Sequence, residues 1–81
     1  MRLPRDLSGR ALARLLGAFR YSVTRQTGSH LRLTPTEHGE HHLTVSDHDA
    51  LRVGTLAAVP GEVAAHFEVD RSEVARRLFG D

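Results

Sequence analysis

The 81-residue chain contains no cysteine, no tryptophan and no lysine, and only one methionine. The absence of cysteine excludes disulfides, thiol catalysis and metal centres built on thiolates, and it is compatible with a reducing compartment. With 40% of its residues apolar, a chain of this length is near the lower limit for one hydrophobic core. We therefore expect residues 1–81 to form a single domain that functions through its surface rather than through a large enclosed cavity.

Long apolar runs are also absent. The first ten residues lack the apolar stretch of a signal peptide, and runs such as residues 56–59 are far too short to span a bilayer. The sequence therefore predicts a soluble, cytoplasmic protein with no membrane partner.

Positive charge is unevenly distributed, although the whole chain carries a formal net charge of only +1. Residues 1–36 hold seven arginines and one carboxylate, a balance of +6, whereas residues 37–81 hold four arginines and nine carboxylates, a balance of −5. An anionic partner for the first half would explain this asymmetry, and so would neutralisation of one half by the other in the folded chain. Every cation is an arginine, which can hold phosphate through two hydrogen bonds, although genomic codon bias is the simpler explanation for the missing lysine.

Hydrophobic periodicity predicts a helix followed by three strands in the first part of the chain. After a candidate N-cap at Ser8, apolar residues recur at helical spacing. The residues of this stripe are Leu12, Leu15, Leu16 and Phe19. Two-residue alternation then predicts strands over residues 21–26, 30–34 and 41–45, with a turn at residues 27–29. The side chains expected on the apolar face of the sheet are Tyr21, Val23, Leu31, Leu33, Leu43 and Val45.

Two more helices are predicted in the second part. Apolar residues at helical spacing indicate a helix from Thr55 to residue 67, which we expect to break or bend at Pro60 because proline removes a backbone donor. Asp70 and Glu73 resemble a capping box that begins a short last helix, which ends at Gly80. The predicted fold class is α+β, with the order α-β-β-β-α, a short C-terminal helix and a three-stranded antiparallel sheet whose second face is polar and open.

The register of the predicted sheet places His30 between neighbours on both sides. Pairing about the turn near residue 28 sets it beside Arg25 or Gln26, and pairing about the next turn sets it opposite Val45 or Ser46. His30 should therefore lie in the middle of the open face.

The residues around His30 suggest acid–base chemistry on an anionic substrate. Gln26 and Arg32 lie on the same predicted polar face as His30. Arg25 lies close by at the end of the first strand, and His48 lies just past the third strand. Imidazole ordinarily titrates near neutrality, and among guanidinium groups it supplies what metal-independent RNA cleavage needs. These needs are a base for the ribose 2′-OH, an acid for the leaving 5′-oxygen and cations for the phosphorane. The same pattern is compatible with an ordinary solvated histidine on a strand.

These residues belong to three short blocks: Arg-Gln-Thr-Gly-Ser-His at 25–30, Leu-Thr-Val-Ser-Asp-His at 43–48 and Val-Gly-Thr-Leu at 53–56. In this order and spacing, across roughly residues 8–67, the chain resembles the HicA family of toxin ribonucleases. The resemblance implies a double-stranded-RNA-binding-domain-like fold and an mRNA interferase that cleaves without a metal or other cofactor. It also implies the toxin of a type II toxin–antitoxin system, in a hetero-oligomer with a HicB-like antitoxin.

The resemblance also implies site residues. The histidine of the Gly-Ser-His block, His30, is the expected catalytic residue. The expected RNA-binding residues are Arg25, Gln26, Gly28, Ser29, Arg32 and His48. Ser46 stands where the family usually has proline, and Pro60 where it commonly has an apolar helix former, which puts the packing of that helix in doubt but not the chemistry of the sheet.

Two alternatives use the same residue types. Nitrogen and oxygen ligands for zinc or nickel occur at Glu37, His38, Glu40, His41, His42 and Asp47. Their spacing fits no helical His-x-x-x-His pattern, and consecutive strand residues point to opposite faces, so we expect no metal site. The second alternative is a module that binds RNA without cutting it. Whether His30 is needed for cleavage or only for binding distinguishes that module from a ribonuclease.

Overall fold

A computed structural model describes residues 3–36 and 41–80 of the chain. The elements in order are α1 (Gly9–Leu15), continued by a 3₁₀ turn (Leu16–Phe19), β1 (Tyr21–Thr27), β2 (His30–Pro35), β3 (Leu43–Ser46), α2 (Val53–Phe67) and α3 (Arg71–Phe79). The strands form an antiparallel sheet in the order β1-β2-β3. The predicted α-β-β-β-α order, the additional C-terminal helix and the three-stranded sheet are confirmed.

The hydrophobic core lies between the helices and one face of the sheet. Its buried members include Leu12, Leu16, Phe19, Tyr21, Leu31, Leu33, Leu43, Val45, Leu56, Val59, Val63, Val74 and Leu78. Leu15 was expected in this set, but it is 36% exposed. It lies about 60° from Leu12 around the helix axis, at the margin of the apolar stripe, so the sheet does not cover it.

The first strand contains a bulge that the sequence did not reveal. Val23 pairs with Leu33 and Arg25 pairs with Arg32, so Thr24 is an extra residue in β1. A bulge of this kind breaks the strict alternation of faces along a strand. Val23, before the bulge, was expected in the core, but it is 45% exposed because α1 covers the edge of the sheet only in part.

Helix α2 runs without interruption through Pro60, so the expected break is wrong. The proline ring is fully buried, together with Leu56, Val59 and Val63 on the same side of the helix. Apolar burial at this position offsets the backbone hydrogen bond that proline cannot make. Within the described ranges, no helix is long and apolar enough to cross a membrane.

The ends of the helices follow the predicted capping residues. The Ser8 hydroxyl accepts a hydrogen bond from the Ala11 N–H at 3.0 Å. The Asp70 carboxylate caps α3 by accepting from the Ser72 N–H at 2.9 Å, and this hydrogen bond lowers the pKa of Asp70. Only half of the predicted capping box forms, because Glu73 pairs with Arg76. Helix α3 ends at Gly80, as predicted, with φ +80°.

The N-terminus of α1 lies directly on the chain that leaves β3. The Gly9 N–H donates to the His48 carbonyl at 2.9 Å, and the Leu51 N–H donates to the Leu7 carbonyl at 2.8 Å. A Cβ at position 9 would lie 1.9 Å from the carbonyl oxygen of Ser46. Only glycine permits this approach, which fixes α1 against the end of the sheet where β2 begins.

Candidate functional site

His30 is the first residue of β2 and lies between the two outer strands. It pairs with Ser46, one of its two predicted partners on β3, but with Thr27 on β1 rather than with Arg25 or Gln26. The reason is the shortness of the turn, which contains only Gly28 and Ser29. Gly28 adopts φ +58°, a left-handed conformation that glycine accepts readily at the first central position of such a hairpin.

Two arginines lie on the face that carries His30, and the bulge brings one of them, Arg25, there. Arg25 and Arg32 are cross-strand partners, and cross-strand partners point to the same side of a sheet. Because Leu31 is fully buried under the helices, its neighbour Arg32 must face the opposite way. Arg25 therefore lies on the open face, where the uninterrupted alternation of the sequence had placed Gln26.

Gln26 lies on the helix side of the sheet, so its predicted position on the open face is wrong. Its Oε1 accepts a hydrogen bond from Arg10 Nη2 at 3.1 Å. The same Nη2 forms an ion pair with Asp47 Oδ2 at 3.1 Å. Arg10 thereby connects α1 to β1 and to the loop after β3, and Gln26 supports the fold from behind the open face.

A hollow of about 300 Å³ on the open face contains the catalytic candidate. It is lined by Arg25, Thr27, His30, Arg32 and Thr44. All five residues are exposed, and none of the lining residues in the described part of the chain is a carboxylate. The hollow therefore combines one titratable imidazole, two fixed positive charges and two hydroxyl groups. Such a surface attracts an anion.

The remaining predicted RNA-binding residues lie at the edge of the hollow or away from it. Gly28 and Ser29 form the exposed turn, and the Ser29 carbonyl accepts from the Asp47 N–H at 2.6 Å, which attaches the turn to the loop after β3. His48 is exposed but does not line the hollow. Thr27 and Thr44 also line the hollow, and the sequence analysis did not predict them as site residues. The register of β2 with β3, which opposes Arg32 and Thr44, is the signal that identifies the second of these.

A line of hydrogen bonds crosses the open face beside the hollow. The Thr24 and Thr34 hydroxyls are 2.9 Å apart, and the Thr34 hydroxyl is 2.8 Å from His42 Nδ1. The Thr24 hydroxyl also lies 3.4 Å from the Arg32 carbonyl, which accepts from it. The extra residue of the bulge is thus held by polar contacts, which stabilises the geometry that presents Arg25.

The histidines considered as metal ligands are separated by the sheet. His42 contacts Thr34 on the open face, whereas the His41 ring stacks on His66 with centroids 4.2 Å apart. Asp47 pairs with Arg10. The other candidate ligands, Glu37, His38 and Glu40, lie outside the described residues. Within the described ranges, no group of three or more histidine, aspartate or glutamate residues is arranged to hold a metal ion.

His41 belongs to an aromatic cluster on the core side rather than to the hollow. Its ring meets the Tyr21 ring edge-on at 5.9 Å, and Tyr21 in turn contacts Phe67 at 6.0 Å. Burial, and then the neighbouring His66, lower the pKa of His41. Burial, and then the charge of Glu62, raise the pKa of Tyr21 to about 12. Both shifts favour the uncharged forms of His41 and Tyr21, as expected for rings that pack against the core.

The fold and the hollow together define a small α+β protein whose sheet presents an exposed histidine beside two arginines. The family model described as the HicA toxin of bacterial toxin–antitoxin systems matches residues 9–64, from α1 through most of α2, including every residue that lines the hollow. The chain belongs to the HicA toxin family. It is accordingly the toxin of a toxin–antitoxin system, and membership implies an antitoxin partner. Neither the curated proteins nor the solved structures contain a match.

Proposed function

We propose that this toxin is a metal-independent endoribonuclease that cleaves mRNA in the cytoplasm, with His30 as its catalytic residue. The observation that carries the proposal is the hollow itself, in which His30 lies beside Arg25 and Arg32 with no carboxylate among its described lining. RNA supplies the anion that such a surface attracts. It also carries the 2′-hydroxyl that an imidazole can activate.

The reaction assigned to the hollow is an internal transfer of the phosphodiester. The His30 imidazole accepts the proton of the ribose 2′-OH as that oxygen attacks the adjacent phosphorus. The P–O5′ bond breaks, and the leaving 5′-oxygen takes a proton from water, which reaches the open site freely. Arg25 and Arg32 donate hydrogen bonds to the non-bridging oxygens and stabilise the additional negative charge of the phosphorane. The products are a 2′,3′-cyclic phosphate and a 5′-hydroxyl.

The residues around the hollow have supporting roles in this proposal. The Thr27 and Thr44 hydroxyls are placed to hydrogen-bond the RNA backbone, and the exposed Gly28-Ser29 turn allows the strand to pass close to the edge of the site. Gln26 acts from behind the sheet by holding Arg10, and His48 contacts only RNA that extends beyond the hollow.

Analysis of the product ends tests the proposal directly. The purified toxin is incubated with a defined single-stranded RNA in the presence of EDTA, and the fragment ends are identified by mass spectrometry. We expect cleavage to continue in EDTA and to leave a 2′,3′-cyclic phosphate on each upstream fragment. Cleavage that stops in EDTA, or that leaves a 5′-phosphate, would contradict the assigned chemistry.

One observation favours a second candidate, an RNA-binding module that does not cut. Among the described residues that line the hollow, His30 is the only imidazole and none is a carboxylate, so no second general acid or base assists it there. In that case the toxin would bind RNA without degrading it. The same incubation separates the two candidates, because a pure binding module leaves the RNA intact.

The affinity for RNA should depend on salt. If Arg25 and Arg32 each contact a phosphate, the logarithm of the association constant should fall with the logarithm of salt concentration by about 0.7 per contact on a single strand. We expect Arg32→Gln to reduce this slope by about one contact, as measured by fluorescence anisotropy with a labelled RNA. The matched control is Arg76→Gln on α3, which should leave the slope unchanged. An affinity that does not respond to salt would assign the basic half of the chain to another partner.

We also propose that the antitoxin is HicB-like and covers the open face. A carboxylate from the antitoxin would take the place of phosphate beside Arg25 and Arg32, and water exclusion would strengthen these charge-assisted hydrogen bonds. We expect Arg25→Ala or Arg32→Ala to weaken antitoxin binding by more than about 1 kcal/mol in calorimetric titrations. Arg76→Ala should have little effect. Arg76 is a better control than Arg77, because the Arg77 guanidinium packs over Phe19 and donates to the Ala18 carbonyl. Normal binding by both sheet variants would rule out direct masking of the hollow.

A further inference from the structure

A second concave surface lies on the opposite side of β1 from the hollow. It is a groove of about 420 Å³ between α1 and β1, which we call the α1–β1 groove. Its lining includes Ala13, Arg14, Gly17 and Val23. Gly17 leaves the groove open because it has no side chain, and Val23 exposes 45% of its surface there. The groove is therefore lined mostly by apolar residues, together with Arg10 and Arg14.

The free edge of the sheet runs beside this groove. β1 is an outer strand and pairs only with β2 within the described ranges. Its other edge therefore presents backbone donors and acceptors that can pair with another strand. The bulge at Thr24 interrupts this edge in the middle, and residues 21–23 form a regular stretch before it. The edge is thus available over a short length, enough for a peptide segment but not for a long sheet.

Arg14 adds a charge that the fold does not use. The neighbouring Arg10 is held by Gln26 and Asp47. The Arg14 guanidinium is exposed and forms no ion pair or hydrogen bond within the described ranges. A cation at the rim of an apolar groove favours a partner that combines an apolar side chain with a carboxylate.

An extended segment paired with β1 would reach both faces of the sheet at once, because successive side chains of a strand point to opposite sides. Side chains on one side would enter the α1–β1 groove near Val23 and Arg14. Those on the other side would reach the open face beside Arg25. The groove and the hollow are thereby accessible to one continuous segment of a single partner.

We propose that the antitoxin adds a strand to the free edge of β1, with an apolar residue in the α1–β1 groove and carboxylates near Arg14 and Arg25. This inference rests on the proposed masking of the open face and extends it to a second surface. The occupant is the antitoxin because its proposed contact with Arg25 would continue around the edge of β1 into the groove. Arg14, which is unpaired within the described ranges, also calls for an acidic partner residue, as Arg25 does in that proposal.

Val23→Asp tests the groove. The complex with the purified antitoxin is titrated by calorimetry, using Val53→Asp as the matched control, since Val53 is a 65% exposed valine at the start of α2. We expect Val23→Asp to raise the dissociation constant at least tenfold, and Val53→Asp to change it less than twofold. Arg14→Glu, a surface change that does not disturb packing, should also raise it at least tenfold. Val23→Ile, which keeps an apolar side chain in the groove, should bind the antitoxin nearly as tightly as the wild type.

Hydrogen exchange tests the added strand. We expect antitoxin binding to slow exchange of the β1 backbone amides that point away from β2. Unchanged exchange along β1, or normal binding by both Val23→Asp and Arg14→Glu, overturns the proposal. If Arg25→Ala still weakens binding in that case, masking of the open face stands and only the groove contact is wrong. If Arg25→Ala binds normally as well, both proposals are wrong. A toxin dimer that Val23→Asp dissociates in the absence of antitoxin would assign the edge to a second copy of this chain and overturn the proposal.

Discussion

Replacing His30 with alanine is expected to reduce RNA cleavage by about 10²- to 10⁴-fold, the usual contribution of one positioned general acid or base. The two guanidiniums and two hydroxyls of the hollow remain, so RNA binding should fall far less than cleavage. Because His30 is exposed at the start of β2, its loss should change the free energy of unfolding by no more than about 1 kcal/mol.

The measurement follows cleavage of a defined RNA by purified proteins, together with growth and transcript integrity after induction in cells. His48→Ala is the comparison, because His48 is also an exposed histidine but does not line the hollow. We expect that variant to retain cleavage within about tenfold, well short of the loss expected from removing a general base. A folded His30→Ala protein that degrades RNA at the wild-type rate would refute the assignment of His30.

Replacing Gly9 with alanine is expected to destabilise the fold by at least about 2 kcal/mol, a large part of the total stability of so small a chain. The added Cβ would meet the Ser46 carbonyl oxygen at 1.9 Å, and a backbone atom cannot turn aside as a side chain does. Relief of this clash requires α1 to move away from the sheet, which would also stretch the hydrogen bond from the Gly9 N–H to the His48 carbonyl.

Chemical denaturation monitored by circular dichroism measures this effect, and Gly54→Ala is the matched control. Gly54 lies in α2 with nothing within 4 Å of its added Cβ, so alanine there should stabilise the protein by about 0.5–1 kcal/mol. Equal stability of Gly9→Ala and the wild type would show that α1 is not fixed to the end of β3 as the structure describes.

The sequence predicted the elements because their signals are local. Ser8, Asp70 and Gly80 begin or end helices through contacts with residues only a few positions away, and the apolar stripe of α1 requires only helical periodicity. Pro60 was misjudged because the cost of its missing hydrogen bond is local, whereas the compensating burial depends on the other helices and the sheet.

The site was predictable only in part, because its surface depends on pairing between strands as well as on signals along the chain. The sequence predicted that His30, Arg25 and Arg32 lie near one another, and the structure brings them together in the hollow. Gln26 was predicted on the wrong face because the residues next to it in the sequence do not reveal the bulge, in which β1 has one residue more than the paired stretch of β2. That excess becomes visible only when the two strands are paired. Thr44 reaches the hollow through its pairing with Arg32, and this too is a long-range relationship.

The extra residue at Thr24 also determines how HicA sequences must be compared. Even-numbered and odd-numbered positions exchange faces at this point, so Val23 and Arg25 lie on opposite sides of the sheet although they are two residues apart. A relative that lacks a residue equivalent to Thr24 would present the same surface from a regular strand, with one residue fewer between α1 and the turn. A relative that aligns without a gap but has a regular strand would direct its position-25 side chain toward α1. Single-residue insertions and deletions in β1 are therefore changes to the functional surface, and an alignment that does not allow for them will equate residues that never occupy the same place.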